Sequence, residues 1–93
     1  MQTLKPNDTI TIKLMSGEEV VGRLVEENND MFLVSKPMAI VNMPNGLGLG
    51  PYIFTAQQHS VIPIVKQNVV SWCITESTMA KKYAEGTTGL KLS

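Results

Sequence analysis

Long apolar runs are missing from this chain. No stretch reaches the roughly 20 apolar residues that span a bilayer, and the opening residues MQTLKPND lack the apolar centre of a secretory signal. Cysteine is confined to Cys73, which excludes a disulfide or a multi-cysteine metal site within one chain. A reduced, cytoplasmic setting is the expectation. Histidine is equally scarce. His59 stands alone with no acidic neighbour in sequence, so it reads as a surface or bulge residue rather than a metal ligand. Cys73 as a nucleophile would need a general base, and only His59 is available, so no catalytic residues and no enzymatic role are expected.

An excess of one charge is absent too. Eight basic and eight acidic residues give a formal net charge of zero, which argues against a strongly basic nucleic-acid binder. A ring of identical subunits can still gather a few lysines onto one face. Only 17% of residues are charged while 43% are apolar. Two accounts fit that balance: apolar surface buried between copies, or an over-apolar core with a flexible tail.

The 93 residues suit one small domain over 1–93, and small domains are often helped by self-assembly. Residues 9–74 carry the strand patterns. Ile10, Ile12 and Leu14 alternate with Thr9, Thr11 and Lys13, the period of a half-buried strand. Ser16-Gly17 then supplies a hairpin turn. The next run sets Val20, Gly22 and Leu24 on one face, with Val21, Arg23 and Val25 on the other. A central glycine in a strand marks a bend or a close backbone approach, so Gly22 predicts a strongly curved sheet. Asn28-Asn29-Asp30 makes a polar turn, and Met31-Phe32-Leu33-Val34 opens a third strand. Pro37 marks a bulge or edge, after which residues 38–43 continue extended.

Residues 44–51, PNGLGLGP, read as a loop. Their glycines do not make a phosphate cradle, because no helix follows and no Gly-Lys-Ser/Thr is present. Residues 52–65 form a second extended region interrupted by the polar Ala56-Gln57-Gln58-His59-Ser60. Lys66-Gln67-Asn68 is a short connection to a last strand, Val69 to Ile74, in which Trp72 suits the core or a subunit interface. The period then changes. Residues 75–86 predict a short C-terminal helix with Met79 and Tyr83 on one face, Lys81 and Lys82 near its end and Gly86 as its stop. Residues 1–8 are a lead-in, and 87–93 a loose tail or an arm that pairs with a neighbour. The scattered methionines suit adaptable packing rather than a cofactor site, and no cofactor is expected.

The order of these elements resembles the Sm and Sm-like (LSm) proteins, including their bacterial RNA-chaperone relatives. Ile12-Lys13-Leu14-Met15-Ser16-Gly17-Glu18-Glu19-Val20-Val21-Gly22-Arg23-Leu24 is similar to the opening half of the family's first motif, and Met31 falls where the family's methionine falls. Residues 64–70, IVKQNVV, match the second motif more loosely. The family's loop Asp is Asn28 here, its Asn after Met is Phe32, the side chain before Met is Asp30, and the Arg-Gly of the second motif is Val65-Lys66. The likeness covers residues 9–36 and 61–74. It implies a mostly β fold: a small five-stranded, strongly bent antiparallel sheet or barrel with the short helix at its C-terminal end. It also implies a homo-oligomeric ring of about five to seven subunits joined by edge strands, with single-stranded RNA or DNA as the partner and no membrane.

On that geometry the 28–30 and 66–68 turns lie side by side near a central pore. Asn28, Asn29, Asp30, Lys66, Gln67 and Asn68 then become candidate nucleic-acid-binding residues, because amides bond base edges and repeated lysines attract phosphate. Phe32 is the candidate stacking face, or else a core residue, as apolar strand residues usually are. The two turns are either a binding site or simple polar reversals. A ring or barrel that binds protein without nucleic acid is the alternative function.

Overall fold

The computed structural model describes residues 3–53, 55 and 60–87. Antiparallel strands β1 (Thr9–Leu14), β2 (Glu19–Glu27), β3 (Met31–Met43), β4 (Gly46–Pro51), β5 (Val61–Val65) and β6 (Val69–Ile74) form one sheet, followed by the helix α1 (Ser77–Thr87). The order across the sheet is β4-β3-β2-β1-β6. The mostly β fold with a C-terminal helix is thus as the sequence predicts. The sheet has six strands rather than five, and it is not closed.

β3 is the spine. It runs for 13 residues, and residues 32–39 pair with β2 along one edge. The opposite edge is shared, with β5 on residues 31–35 and β4 on residues 38–43. The division falls at Lys36, whose φ of 49° turns the strand ahead of Pro37. β2 bends to follow. Its register shifts between Val21 and Arg23 and again between Leu24 and Glu26, and each bulge adds local twist. Gly22 sits at the first bulge. A Cβ there would lie 2.1 Å from Val34 Cγ1 and 3.4 Å from the Pro37 backbone. No side chain fits, so the close approach of β2 to β3 requires glycine.

The curved sheet wraps its own core. Ile10, Ile12, Leu14, Val20, Leu24, Phe32, Val34 and Ile64 pack into one cluster on the concave face, with Leu4, Tyr52, Val69 and Ile74 at its margin. The period-two alternation of β1 and β2 produces this directly. Leu4 reaches the core because the lead-in is tied down: Asn7 N–H donates to Leu24 O at 2.7 Å and Leu24 N–H to Asp8 O at 2.8 Å. On the convex side Val21 is buried apart from that cluster. There α1 lies on the sheet through Tyr83, which is 1% exposed. Its hydroxyl donates to the carbonyls of Ser35 (3.0 Å) and Lys36 (2.9 Å) at the bend of β3.

Two segments depart from their sequence reading. The glycine-rich stretch is not a loop. Only Pro44 and Asn45 turn, and Gly46–Pro51 is strand β4, paired residue for residue with β3 from Met43↔Gly46 to Met38↔Pro51. Gly48 has a use there, since a Cβ would come within 2.2 Å of Met43 Sδ folded over it. Gly86 does not stop α1, which runs to Thr87. Thr87 Oγ1 donates to Tyr83 O at 2.8 Å and Lys36 Nζ to Thr87 O at 2.9 Å. At the other end Glu76 caps the helix by accepting from Thr78 N–H (2.9 Å) and Met79 N–H (3.0 Å). The polar patch around His59 and the tail over 88–93 lie outside the described residues.

Candidate functional site

One end of the sheet gathers three reversals. β2 runs into Asn28-Asn29-Asp30, an Asx turn in which Asn28 Oδ1 accepts from Asp30 N–H at 2.8 Å and Met31 N–H at 2.9 Å. β5 runs into a single 3-10 turn, Lys66–Asn68, before β6. Lys66 N–H donates to Asp30 O at 2.8 Å, which joins the two turns directly. Met15 N–H donates to Asn68 O at 2.8 Å and brings the β1–β2 hairpin alongside. The juxtaposition expected of the 28–30 and 66–68 turns is present within one chain.

The side chains divide by exposure. Asn28, Asn29, Asp30, Gln67 and Asn68 are exposed, and Lys66 is half-buried. Asn28 spends its amide oxygen on its own turn, while Asn29 and Gln67 make no hydrogen bond among the described residues. Phe32 is fully buried in the core cluster and has no free face on which a base could stack. It takes the core role that its strand position suggested.

Lys66 is engaged rather than free. Its Nζ lies 2.6 Å from Glu27 Oε2, the one ion pair among the described residues. It also sits 4.9 Å from the Phe32 ring centroid and 5.9 Å from that of Trp72. The two rings meet edge to face with centroids 5.3 Å apart. Glu27 and Trp72 were not among the residues expected at this site. Trp72 pairs with Ile12 across the sheet yet is 42% exposed, on the strand that ends the sheet among the described residues. Glu27 had a legible signal, as the last acidic residue before the turn that carries the amides. With Glu26, Glu27 and Asp30 against Lys66, the rim is locally acidic.

The flanking edges are apolar. On β5, Ile64 points into the core while Val61 and Val65 are exposed; on β6, Val70 and Trp72 are exposed. An apolar pattern on both faces of a strand is typical of strands buried on both sides. Pro63 occupies β5, as prolines in sheets generally occupy edges.

Among the described residues no cluster of His, Cys, Asp or Glu is arranged to hold a metal ion, and no helix is long and apolar enough to cross a membrane. Cys73 is an exposed free thiol on β6. Two ionisations are displaced. Backbone hydrogen bonds from Met79 and Thr78 hold the exposed Glu76 carboxyl below its ordinary value. Burial pushes the Tyr83 hydroxyl up, opposed in part by the nearby Arg23. Neither group touches the rim. No protein-family profile matches the chain, and no curated protein is significantly similar to it.

Proposed function

We propose that this chain is an Sm-like module that assembles through pairing of edge strands into a closed homo-oligomeric ring, and that its rim of turns binds single-stranded RNA or DNA in nucleic-acid processing or chaperoning. The observation that carries the reading is the Lys66–Asp30 backbone bond, which places Asn28, Asn29, Gln67 and Asn68 on one exposed rim. Amide side chains both donate and accept, the chemistry needed to meet unpaired base edges. Assembly supplies the repetition. The exposed apolar side chains of β5 and β6 border the unclosed side of the sheet, and pairing between copies would cover them and remove two open edges.

A second reading is a ring or barrel that binds protein and no nucleic acid. The ion pair of Lys66 with Glu27 favours it, since the rim's single cation is already neutralised and Glu26 and Asp30 repel phosphate.

Light scattering behind a sizing column, followed by an oligonucleotide titration, tests both halves. A discrete mass of about five to seven subunits is expected, with binding that weakens as salt rises because phosphate contacts release counterions. A clean monomer removes the ring. An assembly that binds no oligonucleotide at micromolar protein leaves the protein-binding reading in place.

A further inference from the structure

The acidic rim poses a physical problem for a nucleic-acid binder. Most of the affinity of such proteins comes from cations placed against the phosphate chain, and the rim offers only Lys66, already held by Glu27. The formal charge of zero conceals an uneven distribution, and four of the eight basic residues lie around the helix on the other side of the sheet.

Four basic side chains surround the place where α1 meets the convex face. Tyr83 is the centre. Its hydroxyl bonds the carbonyls of Ser35 and Lys36, and Arg23 on β2 lies near enough to act on its ionisation. Lys36 turns back from the bend of β3 to place its Nζ 2.9 Å from Thr87 O. Lys82 reaches across to Leu47 O on β4 at 3.3 Å. Lys81 is exposed on the outer side of α1. None of the four has an acidic partner among the described residues, where the Lys66–Glu27 pair is the one ion pair. Glu85, exposed on the same half of α1, is the one carboxylate of that half. Lys36 and Lys82 are bonded to backbone oxygens, which fixes their ammonium groups while leaving further N–H donors on each.

We propose that the phosphate chain of a single-stranded nucleic acid is held on this helix-covered face by Arg23, Lys36, Lys81 and Lys82, while the amide rim meets bases. The inference rests on the reading of the chain as a nucleic-acid binder and deepens it by separating the two tasks. Phosphate contacts position a strand and base contacts specify it. Here the side chains for each task sit on different surfaces, because the rim's carboxylates exclude phosphate from the place where the amides are. In a closed ring, each copy would add its four cations to a basic belt, with one opposing Glu85 per copy.

The test is a fluorescence-anisotropy titration of a labelled oligouridylate against the assembled protein at several salt concentrations. The variants are Lys81→Ala/Lys82→Ala, the single Lys81→Glu, and Lys66→Ala. Alanine favours the helix, and Lys81 is exposed with no ion pair among the described residues, so Lys81→Glu leaves the fold intact; far-UV circular dichroism and native mass confirm this for each variant. Removing two phosphate contacts lowers the slope of log affinity against log salt by about 1.4, from roughly 0.7 per contact on single strands. The double variant and Lys81→Glu should therefore bind at least tenfold more weakly, with flatter salt dependence in the double variant, while Lys66→Ala keeps the wild-type slope. A wild-type slope in the double variant, or a slope lost in Lys66→Ala, overturns the assignment and leaves the nucleic-acid reading standing. Wild-type protein that binds no oligonucleotide overturns both.

Discussion

The two faces of the sheet are sealed in different ways. On the concave face eight apolar side chains from β1, β2, β3 and β5 enclose one another, and the curvature of the sheet is itself the seal. On the convex face the one buried side chain of α1, Tyr83, is held by its hydroxyl, which donates to the Ser35 and Lys36 carbonyls at the β3 bend. Redundancy protects the first face, and a single anchor serves the second. Charge follows the same division: carboxylates gather at the rim where the concave sheet opens, and lysines gather around the helix. A molecule of zero net charge can thus present two electrostatically opposite surfaces.

Substitutions at each face sharpen that contrast. Gly22→Ala should have the largest effect. Its new Cβ would overlap Val34, a short buried side chain with no room to retreat, so a loss of roughly 1–3 kcal/mol is expected in urea unfolding. An unchanged midpoint would mean that curvature does not depend on the glycine. Tyr83→Phe keeps the ring and removes the hydroxyl, which leaves the Ser35 and Lys36 carbonyls without their donor. A loss of about 1–2 kcal/mol should follow, with hydrogen exchange accelerated in α1 more than in β1 and β2. Equal acceleration in the core strands would make the two faces one cooperative unit.

Glu27→Gln tests the rim. It frees Lys66 and removes one carboxylate per chain, so on the proposed nucleic-acid reading oligonucleotide affinity should rise by roughly twofold to fivefold, the scale of one exposed charge interaction. Weaker binding would mean that the ion pair holds the rim in its binding shape.

The smallest effect concerns Glu76. Its carboxyl in the folded chain lies below the ordinary value because it accepts the Thr78 and Met79 N–H groups. A depressed folded value means that its contribution is present above the unfolded value and is lost as pH falls through the folded one. Helicity measured by circular dichroism should therefore decline in acid, below the usual carboxylate range. Glu76→Gln should lower helicity at neutral pH and flatten that decline; an acid response as large as that of the wild type would assign it to another group.

Much of this was readable along the chain. β1 follows from strict alternation, which sorts side chains between faces before any partner is known, and β2 and the start of β3 follow from apolar runs bounded by turn residues. Gly22 announced the bend, and Asn28-Asn29-Asp30 announced the turn with the residue types that bond their own backbone. β4 was hidden. Its glycines carry the signature of a loop, and only the far half of β3, with Met43 lying over Gly48, gives them a strand to pair with. The bond from Lys36 on β3 to Thr87 O was hidden for the same reason.

At the site, the amide residues of both turns were legible as polar reversals. The engagement of Lys66 was not, because Glu27 reaches it from β2, 39 residues away along the chain. By itself the sequence determined the strands with an unambiguous period, the need for a bend at Gly22 and the even balance of charge. Those are properties of neighbouring residues and of composition. Tertiary structure alone decided which lysine is neutralised, which aromatic ring is left exposed and which face is basic. Those depend on contacts between distant segments, and no local pattern encodes a distance across the fold.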